Sequence, residues 1–386
     1  MRRAVIVDAV RSPMGKGKKT GTLAETHPVD LLAAVLARLT ERTELDPGLI
    51  DDVLVGCVGQ NGEQSATPGR QALLAAGWPE HVPAVTVERK CGSGQQAVDF
   101  AVQGVQAGAY DIAVAAGVES MSRVPIGSAR GDADPFGPAV RERYPDLVPQ
   151  GISAELVAEK WKLTRAELDD YSARSHERAA RARAQGWFDD EVAPVAGLTA
   201  DETIREGTTA ERLAGLKPAF AEKHHARNLD WKITAGNSSQ ITDGAAALLV
   251  MSEDRAAELG LRPRAVVAAS AVVGDDPRMM LTGPIPATRK VLARSGIPLA
   301  DIAAFEVNEA FAPVPLAFQR ELGVADAALN PVGGAIALGH PLGASGTRLM
   351  STLINHLERT GARYGLQTMC EAGGMANATI LENPAA

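Results

Sequence analysis

Cysteine is scarce in this chain of 386 residues: only Cys57, Cys91 and Cys370 occur, and no two form a CxxC pair. That scarcity speaks against a disulfide framework and against a cysteine-built zinc module. His224 and His225 are adjacent, a spacing that does not put both on one helix face, so no metal site is expected. No stretch approaches about 18 uninterrupted strongly apolar residues, which leaves no candidate membrane span. Positive charge is in deficit: 39 Lys and Arg against 47 Asp and Glu give a net charge of −8. Nonspecific attraction to nucleic acid or anionic lipid is therefore disfavoured, and an anionic ligand would need a local basic patch. The N-terminus lacks a charged, then apolar, then small-residue pattern, and a reducing cytoplasm is the expected compartment.

What the chain does have is a rhythm. Its length predicts two or three domains. Short β-branched runs (AVIVDAV, DDVLVGCVGQ, DIAVAAGVES) alternate with helical stretches (PVDLLAAVLARLTERT, CGSGQQAVDFAVQGVQAG). This βαβ order predicts a mostly parallel sheet covered by helices. Between about residues 120 and 233 the pattern changes to Gly/Pro/Arg-rich loops and charged helices, one opening at Thr164 with Glu167 at capping-box spacing. The rhythm then resumes with AALLVM, RAVVAASAVVG, DIAAFEVNEAF, GLQTMCEAGG and NATIL. The expected organisation is an α/β half from residues 1–119 with 234–260, an inserted loop and substrate-binding domain at 120–233, and a second half at 261–386. The halves look related: each has a strand, a glycine-framed reactive residue entering a helix, and a further strand ending at AGVES or CEAGG. Such a duplication would bring both sets of loops to one face.

Three residues carry the candidate chemistry. Cys91 precedes a helix expected over 95–106, whose N-terminus would lower the thiol pKa. His340, framed by Gly339 and Pro341, can accept a proton from a thiol or donate to a developing oxyanion. Cys370 ends an apolar strand before Ala372, Gly373 and Gly374, where a second thiol could act as acid and base toward carbon. Each also has a plain structural reading: buried thiol, loop histidine, strand-end packing. Cys57, inside VLVGCVG, is read as core. Asn308 and Glu309 interrupt a strand end, where the amide could fix a water or an oxyanion and the carboxylate could orient a neighbour. TAGNSSQITDGAAALL suits close approach of an extended ligand arm, or a tight corner.

Together these segments resemble the thiolases that act on 3-ketoacyl-CoA thioesters. The likeness runs nearly end to end: RSPMGKG, CGSGQQA, AGVESMSRVP, TAGNSSQITDGAAA, NEAFA, GGAIALGHPLGASG and CEAGG follow the family's order. The resemblance implies a duplicated α/β fold with mixed sheets between helical layers and an inserted loop domain. It implies that Cys91 takes the acyl group as a thioester, that His340 activates it and helps bind the thioester oxygen, and that Cys370 is the acid/base. Asn308 would hold a water in the first oxyanion hole, and the backbone N–H groups of Cys91 and Ala372 would form the second. Arg205, Leu216 and Ser239 would contact CoA, a cosubstrate; no permanently bound cofactor or metal is implied. Ping-pong kinetics and a homodimer or homotetramer follow from the same resemblance, with acyl-CoA and CoA as the only other partners.

Several positions depart from the family pattern. Ala372 and Ala376 stand where glycines are usual, adding bulk near the thioester. Glu88 stands where Asn is frequent and would raise the Cys91 pKa if it pointed inward. Gln150 replaces a methionine. The segments DETIREGTTAERLAGLKPAF and GQNGEQSATPGR resemble degradative thiolases more than biosynthetic acetoacetyl-CoA enzymes, and GEQS with CGSGQQA is similar to thiolases of bulky, steroid-derived chains. Two other classes share parts of this pattern. A decarboxylating ketoacyl synthase would use two histidines, and Cys370 argues against it. A noncatalytic CoA-binding protein on this scaffold would be favoured by loss of Cys91 or His340, and both are present.

Overall fold

The computed structural model describes residues 2–221 and 228–386, so His224 and His225 lie outside the described residues. Ten strands form one sheet: β1 (Ala4–Arg11), β2 (Gly15–Lys16), β3 (Asp52–Gly56), β4 (Ala84–Val87), β5 (Ile112–Ser120), β6 (Thr242–Ser252), β7 (Ala265–Gly274), β8 (Ile302–Val307), β9 (Tyr364–Glu371) and β10 (Met375–Glu382). Their order is β4-β3-β5-β6-β1-β7-β10-β9-β8, with β2 on β6. β5 and β6 are apolar over most of their length and buried at every residue, as strands covered on both faces must be.

The order contains the duplication. β3–β5–β6–β1 in the first half and β8–β9–β10–β7 in the second share one pattern of a parallel pair followed by two antiparallel ones. The halves meet where β1 pairs with β7, through Val5 with Val266 and Ile6 with Ala265. Among the strand pairs of the described residues, β3–β4, β3–β5 and β8–β9 are parallel and the rest antiparallel, so the sheet is mixed, as the family resemblance implied and the βαβ rhythm alone did not. The reason is that β6 and β10 each run back antiparallel beside the strand that precedes them in the chain. β4, directly before Cys91, is a short half-buried edge strand with too little patterning to be legible. Its counterpart in the second half shrinks to a single parallel bridge between Phe305 and Leu329.

Helices Ser93–Ala107 and Ser345–Thr360 form the layer between the two halves. Ala97, Val98, Ala101, Val102 and Val105 of one pack with Met350, Leu353, Ile354 and Leu357 of the other, together with Ile6, Leu54, Ala304 and Leu381 from the strands. Both helices end on a left-handed glycine, Gly108 and Gly361. Helices Pro28–Thr43 and Pro284–Ser295 cover the outer faces.

β5 and β6 are neighbours in the sheet, but residues 121–241 run between them, whereas β9 and β10 are joined by the turn 372–374. Helix Arg165–Ala184 in this excursion begins with the capping box read from the sequence, Thr164 with Glu167. The excursion is fastened to β1 by Arg11, whose buried guanidinium donates to Glu191 at 2.6 Å and to both carboxylate oxygens of Asp201 at 2.6 and 2.9 Å. Among the described residues, no helix is long and apolar enough to cross a membrane, and no three His, Cys, Asp or Glu side chains converge as a metal site.

Candidate active site

Cys91 sits at the tip of a strained turn. Lys90, just before it, has φ of 48°, a left-handed conformation that costs a non-glycine residue about 1 kcal/mol or more. Ser93 holds the turn: its Oγ donates to Lys90 O at 2.6 Å and accepts from Arg89 N at 2.9 Å. The thiol is buried against Met121, Leu342, Leu349 and Met369. A helix does begin at Ser93, but burial first and the Glu371 charge second push the Cys91 pKa up to about 12. The expected dipole-lowered thiol is thus corrected. Glu88 does not supply the like charge, because it turns outward to Lys90, with its carboxylate 3.1 Å from Nζ.

His340 is held on every side. Its backbone N–H donates to Gln240 O at 3.1 Å and Thr242 Oγ1 at 3.0 Å. Nδ1 lies 2.5 Å from Ser345 Oγ, which itself donates to Pro341 O at 2.8 Å. Since the hydroxyl proton is committed to Pro341, Ser345 accepts from Nδ1–H, and this assigns the lone pair to Nε2. Asn308 Nδ2 stands 3.4 Å from Nε2. Burial, then the charge of Arg348, pulls the imidazole pKa down to about 3, so the resting ring is neutral. Cys370 is buried at the end of β9, opposite Ala376, and its pKa is raised well above the ordinary thiol range by burial, then by Cys91 and Glu371.

Close backbone approach brings the two reactive loops together. A Cβ placed on Gly56, Gly94 or Gly117 would fall 2.3 to 2.7 Å from Gly343 O, and one on Gly346 would fall 2.0 Å from Gln95 N. Side chains at this seam would drive the His340 loop off the Cys91 helix. Glu119, the acid of AGVES, ties the seam by accepting from Val58 N, Gly59 N, Gln64 Nε2 and Gly343 N at 2.7 to 3.0 Å. Glu309 acts similarly beneath GGAIALGH, accepting from Tyr171, Ser175, Asn330 and Ile336 N at 2.7 to 3.0 Å. Glu309 is thus a brace for the His340 loop.

Three of the remaining expected residues, Arg205, Ser239 and Leu216, gather around the 234–240 loop. Arg205 is exposed and donates to Gln240 Oε1 at 3.1 Å. Ser239 is half-buried, its N–H on Ala310 O at 3.0 Å. Leu216 is 40% exposed and packs onto the loop at Gly236. Ala372 is half-buried in the β9–β10 turn. Cys57 is core, its thiol pushed up by burial and then by Glu119. Ser345, Glu119 and Glu371 were not singled out from the sequence. Their signals were a hydroxyl inside the glycine-rich GASG and a carboxylate ending each of two apolar strands.

The profile of the thiolase N-terminal domain matches residues 4–254, and that of the thiolase C-terminal domain matches 261–383. This chain belongs to the thiolase family. It is therefore an acyltransferase. It is 46% identical to the steroid 3-ketoacyl-CoA thiolase FadA6 of Mycobacterium tuberculosis, over 99% of this chain and 94% of that one. It is 42% identical to the 3-ketoacyl-CoA thiolase of Aliivibrio fischeri, over 100% of both. The crystal structure of the Bacillus anthracis acetyl-CoA acetyltransferase superposes with a TM-score of 0.89 at 37% identity, covering 99% of each chain.

Proposed function

We propose that this thiolase cleaves 3-ketoacyl-CoA with CoA, giving acetyl-CoA and a shortened acyl-CoA, through an acyl-Cys91 thioester. The observation that carries the reading is the Ser345–His340–Asn308 chain, with its lone pair on Nε2, nested by the glycine seam onto the Cys91 turn. The Cys91 sulfur attacks C3 as its proton passes to His340 Nε2, and the oxyanion forms at Asn308 and His340. Collapse breaks C2–C3, and the electron pair becomes the acetyl-CoA enolate beside the Cys91 and Ala372 N–H groups. Cys370 gives C2 its proton. CoA then enters, loses its thiol proton to the Cys370 thiolate and attacks the acyl-Cys91. The Cys91 sulfur leaves and recovers the proton held by His340, so both thiols end as they began.

CoA is the cosubstrate, lying along Arg205, Leu216 and Ser239, with residues 120–233 as a substrate-binding domain inserted within the first α/β half. A homo-oligomer working in the cytoplasm fits the family. The degradative reading is supported by the relatives that are 3-ketoacyl-CoA thiolases, and a bulky, steroid-like acyl chain by the 46% identical one. The biosynthetic reading, acetoacetyl-CoA synthesis, is supported by the structural neighbour, an acetyl-CoA acetyltransferase. The test is CoA-dependent cleavage of acetoacetyl-CoA, a longer linear 3-ketoacyl-CoA and a bulky one, with Cys91→Ala as control. Preference for the bulky or long thioester, abolished in the variant, is expected. Preference for acetoacetyl-CoA would move the assignment to the biosynthetic type, and no cleavage by folded protein would leave a CoA-binding scaffold.

A further inference from the structure

Glu371 is an anomaly in the middle of the site. It follows Cys370 on β9, is 0% exposed, and neither carboxylate oxygen has a hydrogen-bond partner. It lies against the nucleophile's turn: a Cβ on Gly92 would fall 1.9 Å from its Oε1 and 3.1 Å from Asn377 Oδ1. Any side chain after Cys91 would force this carboxyl to shift. A buried carboxyl without partners is costly, and its nearness to two thiols gives it leverage over both.

We propose that Glu371 is a positioning residue for the reaction: lodged behind the Gly92 turn, its carboxyl restrains the ionisation of Cys91 and Cys370 together. Each sulfur then keeps its proton until His340 or the developing enolate takes it. A Cys91 held as thiol is protected from adventitious alkylation and oxidation, and a Cys370 held as thiol is ready to act as the acid.

The charges bearing on Glu371 are those of Arg89 in the turn before Cys91, Asp99 from helix Ser93–Ala107, the two thiols and, from its outward position, Glu88. Burial holds the Glu371 carboxyl up at about 8, with Arg89 opposing and Asp99 and Glu88 reinforcing. Its charge therefore grows in the alkaline range, where it bears hardest on the thiols.

The inference rests on the proposed roles of Cys91 and Cys370, but its test does not need turnover. Iodoacetamide modification of Cys91 is followed by peptide mass spectrometry across pH, with Cys57, which faces Glu119, as internal reference. For Glu371→Gln the midpoint should fall by about one pH unit, so that at about pH 9 Cys91 reacts roughly tenfold faster while Cys57 is unchanged. Glu371→Met, neutral and of similar length, gives the same reading if the glutamine variant does not fold. A Cys91 profile that stays in place in a folded neutral variant overturns the proposal and leaves Glu371 a packing residue. Cleavage that survives Cys91→Ala would instead overturn the functional reading and leave this measurement standing.

Discussion

Removing the Ser345 hydroxyl tests the base at its least redundant point. Ser345→Ala deletes the acceptor 2.5 Å from Nδ1 and leaves a buried N–H without a partner. It also frees the ring to carry its proton on Nε2, the wrong nitrogen for taking the Cys91 proton. An unsatisfied buried donor costs about 1–3 kcal/mol, which at about 1.4 kcal/mol per decade lowers kcat roughly 5- to 150-fold. The assay is initial-rate thiolysis at saturating CoA, with KM for both substrates measured alongside. KM should change little, because Ser345 is buried behind the ring, and Ser345→Thr should restore part of the rate. In a His340→Ala background the same deletion should have no effect, since its whole influence passes through the imidazole. A Ser345→Ala enzyme within about twofold of the parent, or an undiminished effect without His340, would refute the tautomer assignment.

Arg11→Ala strands Glu191 and Asp201 as buried carboxylates without their cation, and should cost about 3–5 kcal/mol in chemical denaturation. Cys370→Ala should still form acyl-Cys91 from acetyl-CoA, seen by intact mass, while losing carbon–carbon cleavage. Arg205→Ala should raise KM for CoA about fivefold with kcat within about twofold, the worth of one exposed charge-assisted contact. His176 is pulled down to about 4 by burial and then by Arg205, so its stabilising share is complete above the unfolded value near 6.5 and is lost as pH falls through 4. Denaturation should show the parent losing about 1.5 kcal/mol relative to His176→Gln between about pH 6.5 and 5.

The strands and the two central helices were legible because their residues repeat at periods of two and 3.6 under near-complete burial. Ala4–Arg11, Ile112–Ser120 and Ser93–Ala107 lie where their runs predict. β4 escaped because four half-exposed edge residues carry no alternation to read. The antiparallel returns escaped because direction is a property of connections, and residues 121–241 hide one of them. At the site, glycine framing pointed to Cys91 and His340, but the seam between their loops is a contact across about 250 residues that local pattern does not encode. The sign of the Cys91 shift was misjudged for the same reason: the helix start is written beside Cys91, whereas Glu371 arrives from the far end of the chain.

The unequal connections of the twin hairpins give the two halves different cohesion. Closing a loop of about 120 residues between β5 and β6 in place of the three between β9 and β10 costs roughly 3 kcal/mol more chain entropy. The β5–β6 seam is accordingly where amide exchange should report the earlier opening, despite its fully buried strands. The same logarithm works in the opposite direction for variation. Once the long excursion exists, doubling it would add only about 0.6 kcal/mol, so the segment between these strands can be lengthened or rebuilt for a new acyl chain while the paired halves beneath it keep their register.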